Sequence, residues 1–80
     1  MTEASKEIYQ KLAIKYGKSA INKRELAIEL GYTVSSINYY LAKGINLPNY
    51  KKLSGKGNGG RVIFPLQEVA VFLSQTTQVV

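Results

Sequence analysis

Three glycines have the spacing G-x-G-x-x-G, which in other proteins cradles the phosphates of a nucleotide. Gly55, Gly57 and Gly60 lie in the stretch SGKGNGGR. A dinucleotide site needs a strand before this motif, a helix that begins within it and an acidic residue about 20 positions later. Here the β-like RVIF and then a proline follow the motif, and no acidic residue comes after Glu68. The context therefore argues against a nucleotide site.

The cations around the glycine loop suggest a different chemistry. No acidic residue lies between Leu30 and Gln67 in a chain of net charge +6. Such a one-sided basic segment indicates a polyanionic partner, either nucleic acid or an anionic membrane. Glycines let backbone amides approach phosphates, and cations neutralise those phosphates. The candidates for backbone contacts in this segment are Lys43, Lys51, Lys52, Lys56 and Arg61. A solvated hairpin tip that touches nothing is the alternative left open.

The chain offers little for catalysis or metal binding. Its 80 residues include no histidine, no cysteine and only five carboxylates, so the commonest general base and the commonest metal ligands are missing. We expect no catalytic residue, cofactor, metal or small-molecule substrate. No apolar run reaches the roughly 20 residues of a membrane span, and the polar N-terminus does not resemble a signal peptide. We therefore expect a cytoplasmic protein without a membrane partner.

The patterning predicts one domain at residues 1–74, followed by a frayed tail at residues 75–80. Ile8, Leu12 and Tyr16 have helical spacing within residues 2–16. Asn22 and Glu25 form a capping-box pattern at the start of a second helix. A third helix ends near residue 44, two short strands flank the glycine loop, and a last helix begins at residue 65. The first 29 residues carry six basic and four acidic side chains, a nearly balanced mixture.

Ala27, Gly31 and Ile37 lie at the offsets 0, 4 and 10 that are typical of a helix-turn-helix. Two helices that cross steeply over a short turn need a small residue where they touch, a residue that tolerates a left-handed backbone in the turn and a branched apolar residue in the second helix. Such a second helix presents its N-terminal outer face to the DNA major groove. An ordinary helical hairpin is the alternative, since it also favours alanine and glycine.

The third helix is predicted to expose short or amide-bearing side chains that could contact base edges. This outer face carries no carboxylate, so it would not repel phosphates. Thr33 can cap the helix and is a further candidate for a backbone contact. The candidates for base contacts are Val34, Ser35, Ser36, Asn38 and Tyr39. Because the helix contains no arginine, we do not expect it to recognise guanine through a bidentate arginine contact. We expect recognition instead through Asn38, through apolar contacts with thymine methyl groups or through DNA shape.

Residues 21–74 resemble the small winged helix-turn-helix proteins of the excisionase and AlpA-like group, which are similar to the DNA-binding domain of MerR-type regulators. The resemblance rests on the helix from Glu25 to Gly31, on Leu47-Pro48 after a glycine and on Phe64-Pro65 with Val69. It implies an α+β, mostly α fold: an N-terminal helix, a helix-turn-helix pair, a two-stranded β wing and a C-terminal helix.

The expected function is that of a sequence-preferring double-stranded DNA-binding protein. The resemblance implies a repressor-like transcriptional regulator from a phage or mobile element, or alternatively an excisionase-like architectural factor in recombination. A protein–protein adaptor that uses the VSSINYY face is the rival of another class. A homodimer or a cooperative assembly on DNA, formed through the first helix or the last residues, is also left open.

Overall fold

The computed structural model describes residues 2–53 and 61–75, which form four helices and three strands. The helices are α1 (Glu3–Tyr16), α2 (Lys23–Leu30), α3 (Val34–Lys43) and α4 (Leu66–Ser74). The strands are β1 (Ala20–Ile21), β2 (Lys51–Leu53) and β3 (Arg61–Pro65). The described chain is therefore α+β and mostly helical, as predicted. None of these helices combines the length and apolarity needed to cross a bilayer.

The ends of α2 follow the signals in the sequence. Asn22 Oδ1 accepts the backbone N–H of Glu25 at 2.8 Å, and Glu25 Oε1 accepts the N–H of Asn22 at 3.1 Å, so the predicted capping box is present. Gly31 ends the helix with a φ of 72°, in the left-handed region that side chains disfavour. The N–H of Tyr32 then returns to the carbonyl of Ala27 at 2.9 Å. This return bond closes the helix end and begins the turn toward α3.

The sheet has three antiparallel strands in the order β1-β3-β2, whereas the sequence predicted only a two-stranded wing. The additional strand pairs Ala20 with Pro65 and Ile21 with Phe64. Two residues are too few to show strand alternation, so β1 left no readable signal. Pro65 ends β3 and precedes α4, although the sequence placed it in the first turn of the last helix. β1 is followed directly by Asn22, the N-cap of α2. Because β1 pairs with β3, the start of α2 is held next to β3.

The core contains apolar side chains from all four described helices and from β1 and β3. α1 packs against α4, and α2 packs against both α3 and β3. Ala27 and Ile37, which the helix-turn-helix spacing singled out, both lie in the interior between α2 and α3. The buried apolar residues are Leu12, Ile21, Leu26, Ala27, Ile37, Val62, Phe64, Leu66, Val69 and Ala70. Of the expected frayed tail at residues 75–80, only residue 75 lies within the described residues.

Glu29 links α2 to the end of α1. Its Oε2 accepts hydrogen bonds from Lys15 Nζ at 2.5 Å and from the Tyr16 hydroxyl, and only 14% of its side chain is exposed. Burial acts to raise the pKa of Glu29, but the hydrogen bonds from Lys15 and Tyr16 outweigh it and hold the pKa below its usual range. Burial, and then the bond to the Glu29 carboxylate, raises the pKa of Tyr16. Ionised Glu29 therefore stabilises the contact between α1 and α2.

Replacing Glu29 should weaken the fold in a pH-dependent way. Glu29→Gln should lower the free energy of unfolding near neutral pH, because an amide accepts weaker hydrogen bonds than a carboxylate. The expected loss is only about 1 kcal/mol, because solvent screens the charge of the exposed Lys15. Since the folded-state pKa is depressed, this stabilisation is complete above the unfolded pKa of about 4.3 and is lost as pH falls through the folded value.

Denaturant unfolding of both proteins near neutral pH and at about pH 3 measures this difference. We expect a clear gap in stability near neutral pH that narrows in acid. A gap of the same size under both conditions would contradict the ionic contribution.

Candidate nucleic-acid interface

The outer face of α3 consists of Val34, Ser35, Asn38 and Tyr39. All four side chains are exposed, with 40% of Val34 and 58% of Tyr39 accessible to solvent. Ile37 is buried on the side of α3 that packs toward α2. The four outer-face residues therefore lie on the other side of the helix. Four of the five predicted base-contact candidates therefore share one surface that is accessible to a binding partner.

The fifth candidate, Ser36, is half-buried and belongs to the cap of α3. Thr33 Oγ1 accepts the backbone N–H of Ser36 at 3.1 Å and donates to Ser36 Oγ at 3.1 Å. The hydroxyl proton of Thr33, the predicted backbone contact, is thus already directed at Ser36. The structure gives both residues a capping role and makes them less available to a ligand than the outer face.

Lys43 lies in the last turn of α3, close to the outer face. Its Nζ is 5.7 Å from the centroid of the Tyr39 ring, a cation–π distance. Tyr39 in turn meets the half-buried Tyr40 edge to face, at 5.7 Å between ring centroids. This places one predicted cation beside the base-contact candidates. Another, Lys56, lies outside the described residues, as does the glycine loop at residues 54–60.

The three remaining cations of the basic segment lie on two faces of the sheet. Lys52 pairs with Val62, and Lys51 pairs with Ile63. Directly paired residues share a face, and successive residues alternate between faces. Since Val62 is buried, Lys52 lies on the face toward the core, whereas Lys51 and Arg61 lie on the other. All three are exposed, with Lys52 on a different face of the sheet from Lys51 and Arg61.

A groove of about 590 Å³ separates β3 from the start of α2. We name it the β3 groove; its charged lining residues are Lys18, Lys23, Arg24 and Arg61. Val34, the first residue of α3, also borders it, and no carboxylate belongs to its lining. The groove therefore joins cations of α2 and β3 to one end of the outer face.

A second groove, of about 340 Å³, lies between α3 and β2. We name it the α3 groove; it is lined by Lys23, Asn38, Tyr50 and Lys52, together with apolar residues that include Val62. This lining too contains no carboxylate. The outer face of α3 thus has basic depressions near both Val34 and Asn38.

A hydrogen bond between α2 and α3 joins the two grooves. Lys23 Nζ donates to Asn38 Oδ1 at 2.9 Å, and Lys23 lines both grooves. Asn38, a predicted base-contact residue, is therefore held by a cation from the neighbouring helix. The hydrogen bond is exposed, Asn38 is exposed and Lys23 is half-buried, and both side chains lie on the surface that includes the outer face.

Sequence reasoning missed Lys23 and Arg24 because the first 29 residues are nearly balanced in charge. In the structure these charged side chains differ in whether they form ion pairs. Lys18 Nζ lies 2.8 Å from Glu25 Oε1, and its hydrogen bond holds the pKa of Glu25 below the usual range against the effect of burial. Glu29 accepts hydrogen bonds from Lys15 and Tyr16 at the end of α1. Within residues 2–53 and 61–75, Lys23 and Arg24 form no ion pair, so their charges remain available to an anion.

Comparisons with protein-family models, with curated proteins and with solved structures found no match to this chain.

Two neighbouring lysines of β2 provide a matched test of this surface. Lys52→Ala should weaken binding to a DNA duplex and reduce the slope of log K against log salt by about 0.9, because Lys52 lines the α3 groove and can reach a phosphate. Lys51→Ala removes the same charge from a side chain that lines neither groove, and we expect a smaller change. Fluorescence anisotropy over a range of salt concentrations measures both slopes. Equal slopes for the two variants would contradict the proposed phosphate contact in the α3 groove.

Proposed function

We propose that this chain is a winged helix-turn-helix protein that binds double-stranded DNA with sequence preference. α3 enters the major groove with its outer face toward the base edges. The hairpin that contains β2 and β3 is the wing, and it contacts the neighbouring phosphate backbone.

One observation carries the proposal: the outer face of α3 is exposed, lacks carboxylates and is bordered by cations from α2, β2 and β3. A face that only kept the protein soluble would commonly carry glutamate and lysine. Here Ser35 and Asn38 are short enough to let the helix approach base edges closely. Lys23 and Arg24 from α2, with Lys52 and Arg61 from the strands, would meet phosphates around it.

The dimensions of α3 suit this role. Its ten residues correspond to about 15 Å of helix, and the major groove is about 12 Å wide and admits one α-helix. The turn at Gly31 separates α3 from α2, so that α2 can lie across the backbone while α3 reaches the bases. The cations of α2 would then neutralise phosphates beside the groove that α3 enters.

The resemblance to excisionase and AlpA-like proteins supports the same proposal and suggests a biological role. A protein of this kind works by occupying or bending a site, without chemistry of its own. We propose repressor-like regulation of transcription, in a phage or mobile element, as the role. In the architectural alternative the protein would bind cooperatively along evenly phased repeats and bend them. A footprint with several phased sites and marked bending would favour that alternative.

An adaptor that binds another protein is the rival of a different class, because the exposed Tyr39 could also contact a protein surface. The two classes differ in their response to salt and sequence. Binding to random duplex that vanishes at moderate salt, without a preferred site, would favour the adaptor.

Selection of bound duplexes from a random pool tests the proposed function, together with the substitution Ser35→Glu. We expect a recurrent site of defined sequence. Ser35 is exposed in the first turn of α3, where a glutamate suits the helix dipole, so the variant should fold as well as the native chain. Its carboxylate would face DNA and should weaken binding by about tenfold or more, in the range of one good base contact.

Gln10→Glu is the matched control, because it adds the same charge at an exposed position of α1. It should change affinity by less than about twofold, since no residue of α1 lines either groove and salt screens exposed charges. Equal losses for the two variants, or a selected pool without any common sequence, would overturn the proposal.

A further inference from the structure

We propose that Lys23 and Asn38 act as one unit that reads a guanine in the major groove. The inference rests on the proposed DNA binding and specifies its base preference. It starts from the 2.9 Å hydrogen bond that joins the two side chains across α2 and α3.

The chemistry of lysine fixes the orientation of the Asn38 amide. An ammonium group has three donors and no acceptor, so the amide atom that faces Lys23 Nζ must be the oxygen. The Nδ2 group of Asn38, with its two N–H donors, is then directed away from Lys23. Without that partner an asparagine amide can turn either way, and its preferred base would be undetermined.

The pair consequently offers mostly donors to a base. Asn38 Oδ1 has already accepted one hydrogen bond, while Lys23 keeps two N–H donors and Asn38 Nδ2 keeps two. Guanine presents two acceptors in the major groove, N7 and O6, whereas adenine presents the acceptor N7 and the donor N6–H₂. Bidentate contact with adenine would need the second lone pair of Asn38 Oδ1, and it would bring the N6–H₂ donor of adenine beside the Lys23 ammonium group, which has only donors. Guanine is therefore the base that matches the pair.

The position of Lys23 explains how a helix without arginine could still read guanine. Lys23 comes from the first turn of α2 and lines the grooves on both sides of the pair. It forms no ion pair within the described residues, so a carboxylate there does not compete for its charge. Its ammonium group would supply the cation that an arginine of α3 supplies in a conventional guanine contact.

The test uses the full chain and the duplex obtained by selection. Each guanine of the preferred site is replaced in turn by adenine and by 7-deazaguanine, which lacks the N7 acceptor. The protein variants are Lys23→Met, which keeps the apolar stem of the side chain, and Asn38→Ala. Lys52→Ala is the control, because it removes one charge from the same α3 groove without touching the pair. Circular dichroism and thermal unfolding establish that each variant folds.

We expect one guanine whose replacement by adenine weakens binding of the native chain by about tenfold. The 7-deazaguanine duplex should bind more weakly than the parent duplex as well. Lys23→Met and Asn38→Ala should each reduce this preference to within about twofold, and the double variant should lose little more than either single variant, as expected for two residues that act together. Lys52→Ala should weaken binding to all duplexes alike and keep the preference for guanine.

Three results would overturn the inference, and they distinguish its failure from that of the proposed function. If the native chain binds a defined site but Lys23→Met weakens all duplexes equally, as Lys52→Ala does, then Lys23 is a phosphate contact and only the guanine unit is wrong. A tolerant response to every guanine replacement would lead to the same conclusion. If the native chain selects no site at all, the proposed function fails together with the inference.

Discussion

The close contact between α2 and α3 decides which side chains this protein offers to a partner. α2 packs against α3, and Ala27 of α2 and Ile37 of α3 are both buried in the core. Because an α-helix has 3.6 residues per turn, the burial of Ile37 determines the outward direction of Ser35 and Asn38. Gly31 supplies the left-handed backbone that turns the chain between the helices. A different crossing would expose a different face and remove the basis of the proposed function.

The net charge around the outer face depends on which side chains form ion pairs, and it cannot be read from the composition of the segment alone. The carboxylates of α2 bind Lys18 and the end of α1. Among the described residues, Lys23 and Arg24 therefore have no ion-pair partner. β1 contributes as well, because it anchors the start of α2 beside β3, where Arg61 borders the same groove. A segment with balanced charge in the sequence thus becomes a basic surface in the fold. The same arrangement holds Asn38 in one orientation and gives the outer face a directional hydrogen-bonding pattern.

The helices, the turn at Gly31 and the burial of Ala27 and Ile37 were predictable because their signals are local. The capping box at Asn22, the turn at Gly31 and the spacing to Ile37 each depend on neighbours a few positions away. β1 was missed because its two residues show no alternation. The role of Lys23 was missed because its partner lies 15 positions away. The separation of Lys51 from Lys52 onto different faces required the register of β2 against β3, which no local pattern specifies.

The central claim, that DNA lies along the outer face of α3, is tested most directly by NMR. Amide chemical shifts of the ¹⁵N-labelled chain are followed while a duplex that carries its selected site is added. The largest changes are predicted at residues of the outer face, at the start of α2 and along β2 and β3. Changes concentrated on α1 and α4, with the outer face of α3 unaffected, would contradict the claim.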